Sequence, residues 1–146
     1  MIELLELDRG ECLRLLAATS GRVGRIAVED AGSPPIVRPV NYVFDERSQS
    51  VAFRSALGST LSRILDSATA VFEIDGGDPT ERTGWSVIIV GQPDDVSDRA
   101  EIDRLEELEL EPWAPGAKTH WVRIRTTAAS GRRIVRTFDI TPGDRS

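Results

Sequence analysis

The sequence has few of the residues from which disulfides, metal centres and nucleophilic active sites are built. Among 146 residues there is one cysteine, Cys12, and one histidine, His120. One cysteine cannot form an internal disulfide, and the two residues together cannot supply the clustered ligands of a zinc or iron–sulfur site. The sequence therefore predicts no structural metal, and it leaves the catalytic residues unknown. The pattern favours a structural or exposed His120 and a buried, apolar Cys12.

Long apolar runs and the common phosphate and nucleophile motifs are also missing. No stretch is long enough to span a bilayer, and the acidic first residues, MIELLELDRGE, do not resemble an export signal. We therefore expect no membrane association and a cytoplasmic location. GxSxG, P-loop and GxGxxG motifs do not occur. The net charge of −6 disfavours nucleic-acid binding, which depends on neutralising phosphates.

What is present is typical of one globular domain. Hydrophobic residues make up 40% of the chain and charged residues 29%, which is ordinary globular usage. A length of 146 residues fits a single domain over 1–146. We expect its core to cover about 8–134, with a frayed C-terminal tail.

Turn residues divide the chain into short strands with few helices between them. Strands are predicted near 21–30, 36–44, 51–54, 68–75, 85–90 and 120–126. Helices are expected after Asp8, whose capping box includes Glu11, within 55–66, and from Ser97 or Asp98. Long crossovers are absent, so we predict a mainly β fold with short α, a six-stranded antiparallel barrel. Pro39 places its strand at an edge or a bulge.

Residues 53–60, FRSALGST, have the composition of an anion-binding turn between a strand and a helix. Free N–H groups and the positive end of the helix dipole meet at such a turn. Arg38 and Arg54 could add bidentate contacts to a phosphate. The alternative, that Ser59 and Thr60 merely cap the helix, fits the local sequence equally well.

Six segments in order resemble the pyridoxamine 5′-phosphate oxidase-like family, most closely its small actinobacterial and nitroimidazole-reductase-like members. They are GRVGRIA from residue 21, RPVNY from 38, VAFRS from 51 with Gly58-Ser59, VFEID from 71, GWSV from 84 with Gly91, and HWVRI from 120 with Gly131-Arg132-Arg133. The resemblance covers about 8–134. It implies an FMN-binding split barrel that forms a homodimer and holds two FMN molecules in clefts between the subunits.

The resemblance also implies roles for individual residues. Residues 38–42 would lie along the isoalloxazine, residues 54–60 would bind the ribityl phosphate, and Trp113 or Arg132 would reach the flavin of the partner subunit. The implied cofactor-binding residues are Arg38, Pro39, Val40, Asn41, Tyr42, Phe53, Arg54, Ser55, Gly58, Ser59, Thr60, Trp113 and Arg132.

One position departs from the family pattern. Thr60 stands where the family usually has a lysine or arginine on the phosphate. Loss of that charge weakens FMN binding unless Arg54 or Arg63 replaces it. A deazaflavin, a haem or an empty cleft therefore stay open as alternatives to FMN.

The implied function is that of a flavin-dependent oxidoreductase. It would transfer hydride or electrons between a nicotinamide donor and a small-molecule acceptor, with the chemistry carried by the flavin. Trp85, Trp113 and Trp121 would line the substrate side, or else be core or interface aromatics. The alternative is a non-catalytic flavin-binding or regulatory homodimer that has lost turnover together with the phosphate lysine. Pyridoxamine phosphate oxidase activity itself is not expected, because no second basic cluster is evident.

Overall fold

The computed structural model describes residues 1–109 and 120–137. These contain nine strands and three helices. The strands are β1 (Ile2–Leu7), β2 (Val23–Asp30), β3 (Ser33–Asp45), β4 (Ser50–Ser55), β5 (Ala70–Asp78), β6 (Thr83–Gly91), β7 (Pro93–Val96), β8 (His120–Arg125) and β9 (Ala128–Arg136). The helices are α1 (Arg9–Ala18), α2 (Ser59–Asp66) and α3 (Arg99–Leu108).

The described strands form one antiparallel sheet in the order β1-β9-β6-β5-β2-β3-β4-β8-β7. The mainly β, antiparallel class is confirmed, and the six predicted strands are the contiguous middle of this order. The predicted count of six is wrong, because the sheet has nine strands. Its strand pairing also does not close into a ring within the described residues, since β1 and β7 lie at the two ends.

The three strands that the sequence prediction missed have weak local signals. β1 alternates acidic and apolar residues just before a helix cap. β7 has only four residues and begins at Pro93. β9 contains Gly131 and adjacent arginines, a composition that also suits a turn. Pairing stabilises β9, because it lies between β1 and β6.

The inner face of the sheet forms the main hydrophobic core. Strand residues alternate between this face and the outside, as the period of a β-strand requires. A second, smaller cluster lies under α3, where Leu105 packs with Trp121 of β8. The largest fully buried side chains of the main core include Tyr42, Phe53, Phe72, Leu16, Ile26, Ile74 and Ile89.

Helix α1 begins as predicted. The Asp8 carboxylate accepts from the Glu11 N–H at 2.8 Å, and the Glu11 carboxylate accepts from the Asp8 N–H at 3.3 Å. This reciprocal capping box satisfies two of the free N–H groups at the start of the helix. Cys12 is buried and free, which confirms the prediction of a small core residue.

The sheet opens between β3 and β4. Residues 33–41 of β3 pair with β2, and only residues 42–45 pair with β4. β4 continues past this point and pairs with β8 through Arg54 and Ser55. The first part of β3 therefore has a strand on one side only, and Pro39 lies there, as its missing N–H predicted. We refer below to this divergence of β3 and β4, which α2 follows along the chain, as the β3–β4 opening.

Candidate functional site

Two residues predicted to contact a ring lie exposed on the one-sided part of β3. Arg38 and Pro39 are both open to solvent. The Arg38 Nη1 donates to the carbonyl oxygen of Val37 at 2.9 Å, and Arg38 has no ion pair among the described residues. Val40 is half-buried against the main core. The β3–β4 opening therefore presents one cation that is not neutralised by an acid.

Asn41 and Tyr42 serve the fold in this structure. The Asn41 side-chain amide donates to the carbonyl oxygens of Gly21, at 2.5 Å, and Arg22, at 3.2 Å, which joins β3 to the segment before β2. The Tyr42 ring is fully buried, and its hydroxyl donates to the Leu16 carbonyl oxygen at 2.8 Å. Burial raises the pKa of Tyr42 to about 12. The Tyr42 side chain is therefore part of the core, and the expected contact of residue 42 with a flavin stays a prediction.

The Phe53 side chain is also part of the core, whereas Ser55 lies nearer the surface. Phe53 pairs with Tyr42 across β3 and β4, and its side chain is buried in the main core. Ser55 is half-buried, and its hydroxyl donates to the Ala56 carbonyl oxygen at 3.1 Å. The two residues lie on the same face of β4, and Ser55 is less buried because it ends the strand, beyond the pairing of β4 with β3.

The start of α2 has no side-chain cap. Gly58 is the N-cap residue, with φ of 151°, and no side chain accepts from the first helical N–H groups. The interpretation that Ser59 and Thr60 cap this helix is therefore wrong. A Cβ built on Gly58 would meet no atom within 4 Å, and Leu57 beside it is 74% exposed. Free N–H groups at an open helix N-terminus favour an anion.

Both arginines expected to replace the missing basic residue already have acidic partners. The Arg54 Nη2 lies 2.6 Å from the Glu109 Oε2, and Glu109 is only 15% exposed. The Arg63 Nη1 lies 3.4 Å from Asp30 Oδ2. The charge near Thr60 is therefore lower than the count of arginines in the sequence suggests. Glu109 was missed because only the packing of α3 brings it to β4.

Of the three tryptophans predicted to line the substrate side, two pack in the core and one lies outside the residues that the structure describes. Trp121 is 2% exposed, and the Arg54 guanidinium stacks on it at 5.6 Å from the ring centroid. Trp85 is half-buried against the main core. Both fit the alternative of core aromatics, whereas Trp113 lies outside the described residues. His120 is partly exposed, with its Nδ1 3.7 Å from Asp95 Oδ1, and this contact fits a structural imidazole.

Arg132 lies far from the β3–β4 opening in the sheet order. It is exposed on β9 and pairs with Ser86 of β6. Three strands, β6, β5 and β2, separate β9 from β3. One chain therefore does not bring Arg132 to the segment 38–41, and a role at a flavin requires the second subunit, as the resemblance implies.

The outer face of the sheet carries an apolar row beside a charged row. Register aligns Val37, Ala27, Val71, Val90 and Ala128 across β3, β2, β5, β6 and β9. Directly paired residues lie on the same face of an antiparallel sheet. All five are half-buried or exposed, and Val37 is 54% exposed. We call this set the outer apolar row.

The charged row next to it contains a carboxyl group with a shifted pKa. Burial raises the pKa of Glu73 to about 7, together with a hydrogen bond that the protonated Glu73 donates to Asp75 and the negative charge of Asp75. Arg25 opposes the shift, with Nη1 3.4 Å from Glu73 Oε1 and Nη2 3.9 Å from Asp75 Oδ2. Two carboxylates sharing one arginine cannot both ionise freely.

Within 1–109 and 120–137, no group of three or more histidine, cysteine or acidic residues is arranged to hold a metal ion. None of the helices α1 to α3 is long and apolar enough to cross a membrane.

Comparison with known proteins decides the family. A model of the pyridoxamine 5′-phosphate oxidase family matches residues 8–133, nearly the range expected from the sequence. The chain belongs to this family. A Mycobacterium tuberculosis protein described as uncharacterised is 40% identical over 139 residues, 91% of this chain and 87% of that protein.

Solved structures share the fold of this chain. The FAD-binding protein from Mycobacterium smegmatis superposes with a TM-score of 0.72 at 35% identity, covering 88% of this chain and 97% of that one. A putative 5-nitroimidazole antibiotic resistance protein from Bacteroides thetaiotaomicron gives a TM-score of 0.69 at 9% identity, covering 92% and 89%. The second likeness concerns the fold alone. Together they support a split-barrel fold of the flavin-binding type.

The residues at the β3–β4 opening fit a flavin of the kind that this family holds. The uncapped start of α2 offers N–H donors to a phosphate, and the space beside Gly58 is open. The Nε of Arg54 is buried and has no hydrogen-bond partner among the described residues. The fit is strongest for an anion that carries little charge, because Arg54 is already paired with Glu109.

Proposed function

We propose that this protein is a flavin-dependent oxidoreductase whose flavin binds at the β3–β4 opening, with the ribityl phosphate at the start of α2. The observation that supports this most is the uncapped N-terminus of α2, directly after the strand that diverges from β3. Membership of the family supplies the expectation of a flavin. FMN and FAD share the ring and the first phosphate, so the proposal holds for either.

In this proposal the chain binds and orients while the flavin supplies the transfer of hydride or electrons between a nicotinamide donor and a small-molecule acceptor. Arg38 and the backbone of 38–41 border the ring, since this part of β3 is exposed and one-sided. The N–H groups of 59–61 and the Arg54 guanidinium hold the phosphate. A role limited to binding and orienting the flavin suits this chain, because its single histidine lies 3.7 Å from Asp95 and is interpreted as structural.

A second candidate is a non-catalytic flavin-binding homodimer. The pairing of Arg54 with Glu109 and of Arg63 with Asp30 favours it, because both reduce the positive charge available at Thr60. Such a protein would bind flavin weakly and show no turnover. Reduction by a nicotinamide donor separates the two candidates.

We also propose that two copies of the chain associate through the outer apolar row. Exposed or half-buried apolar side chains on five adjacent strands make a continuous surface, and such surfaces commonly mark an interface. A twofold contact would bring Arg132 of one subunit toward the other, which is the role that the resemblance assigns to it. A cytoplasmic location stays a prediction.

The first test is the absorption spectrum and flavin affinity of the purified protein. We expect a flavin spectrum, and Arg54→Ala should raise the Kd for flavin by about tenfold or more, the worth of one charge-assisted contact. Arg47→Ala is the control, because Arg47 is an exposed arginine in the β3–β4 turn. Protein that stays colourless with either FMN or FAD would contradict the proposal.

The second test concerns turnover. Anaerobic mixing with NADH or NADPH should bleach the bound flavin, and added acceptor should restore its colour. If no nicotinamide donor reduces the bound flavin, the oxidoreductase proposal is rejected and the non-catalytic flavin-binding homodimer remains.

A further inference from the structure

Glu109 is the acidic residue placed most directly on the proposed phosphate site. Its Oε2 lies 2.6 Å from the Arg54 Nη2, and both side chains are largely removed from solvent, at 15% and 26% exposure. An ion pair with little solvent around it is weakly screened, so its partners respond strongly to any further charge. The guanidinium keeps unused donors, including the buried Nε.

The net charge of the Arg54–Glu109 pair affects which kind of phosphate group binds there. Arg54 and Glu109 together are neutral, so an incoming phosphate gains a hydrogen-bond donor but little net attraction. A phosphate monoester has a second pKa of about 6 and carries nearly two negative charges at pH 8. In FAD the same phosphate is joined through an anhydride bond to a second phosphate, so it carries one negative charge and the other charge lies on the second phosphate. The second charge of the monoester is repelled by the Glu109 carboxylate.

The surroundings of this site leave room for the second phosphate of FAD and its nucleoside. Residues 56–59 are all exposed, and a Cβ on Gly58 would meet nothing within 4 Å. Among the described residues nothing covers the start of α2 on its outer side. An extension of the phosphate into solvent therefore meets no steric barrier there.

We propose that Glu109 is a specificity-determining residue, which makes this site select a flavin whose ribityl phosphate is joined to a second phosphate, as in FAD, over the monoester FMN. The inference rests on the proposed function, because it assumes that the flavin phosphate binds at Arg54. Glu109 acts by adding a negative charge beside the arginine, and it needs no contact with the flavin ring.

The test compares the ratio of the Kd for FMN to the Kd for FAD in the wild type, Glu109→Gln and Glu107→Gln, by quenching of flavin fluorescence at pH 8. We expect the wild type to favour FAD and Glu109→Gln to reduce the ratio by roughly tenfold, the effect of one nearby charge. Glu107→Gln should leave the ratio unchanged, because Glu107 is an exposed acid on the same helix. Thermal melts verify that all three proteins are folded.

A pH series adds a second readout. At pH 5 the FMN phosphate is mostly singly charged, so the wild-type preference for FAD should shrink, and the difference between the wild type and Glu109→Gln should shrink with it. A ratio that Glu109→Gln leaves unchanged, or that Glu107→Gln lowers equally, would overturn the inference while flavin binding itself stands. If no variant binds FMN or FAD at any pH, the proposed function fails and the inference fails with it.

Discussion

At the scale of single residues, Tyr42 shows how a residue that resembles a cofactor contact serves the core. Its ring packs on Phe72 with centroids 4.9 Å apart, and its hydroxyl lies 2.6 Å from the Thr19 Oγ1. These contacts join β3 to the end of α1. The Tyr42 side chain therefore contributes to the stability of the fold.

Tyr42→Phe should consequently lower the free energy of unfolding by about 1–2 kcal/mol, because it leaves the Leu16 carbonyl oxygen and the Thr19 hydroxyl without this partner. Urea denaturation measures the loss. The Kd for flavin should change by less than about twofold. A large loss of flavin affinity in a protein of unchanged stability would return Tyr42 to the binding site.

Glu73 predicts a dependence of stability on pH. Its pKa is raised from 4.5 to about 7 in the folded protein, so between these values the folded state binds more protons than the unfolded state. Stability therefore falls as the pH rises through this window, and the full penalty applies above it. Glu73→Gln should stabilise the protein at pH 8 by about 1–3 kcal/mol and have little effect at pH 4.

Denaturation of both proteins across pH 4–8 checks this prediction. Glu29→Gln is the matched control, since Glu29 is an exposed acid on the neighbouring strand β2. A stabilisation by Glu73→Gln that is equal at pH 4 and pH 8 would show that ionisation of Glu73 is not the cause.

At the scale of elements, the approach of β6 to β8 depends on a glycine. A Cβ on Gly91 at the end of β6 would overlap the carbonyl oxygen of Arg125 at the end of β8. The Thr127 N–H also donates to the Val90 carbonyl oxygen at 2.9 Å. The sheet therefore curls so that two strands far apart in its order come together, and only a residue without a side chain allows the contact.

Gly91→Ala should destabilise the protein by at least about 3 kcal/mol, because backbone must move to relieve the overlap. Gly10→Ala is the comparison, since a Cβ there would meet its nearest atoms at 3.5 Å inside α1. That change should be neutral or stabilising by up to about 1 kcal/mol. Thermal or urea denaturation distinguishes the two, and an equally stable Gly91→Ala would show that β6 and β8 separate easily.

At the scale of the whole molecule, the outer apolar row predicts how copies associate. Val71→Arg puts a charge at the middle of that row and should convert a dimer to a monomer, because burying an unpaired charge costs several kcal/mol. Leu108→Arg is the control, since Leu108 is exposed on α3. Sedimentation equilibrium gives the mass. A dimer that survives Val71→Arg would place the interface elsewhere.

Whether a feature could be predicted from the sequence depends on how far apart in the sequence its interacting residues lie. The capping box of α1, the buried Cys12 and the six middle strands depend on residues close in sequence, and they were predicted. β1, β7 and β9 were missed because their pairing partners, and not their own residues, hold them in the sheet. The burial of Tyr42 and Phe53 was missed because it depends on which face of each strand turns inward.

The sequence by itself determined the family, the antiparallel class and the position of the strand-to-helix turn near Gly58, since these depend on composition and on ordered local motifs. Only the tertiary structure decided the electrostatics of that turn. Arg54 and Glu109 are 55 residues apart in sequence, yet α3 packs against β4 and brings their side chains to 2.6 Å. The fold, and not the number of arginines in the sequence, therefore sets how much positive charge Arg54 offers to a ligand.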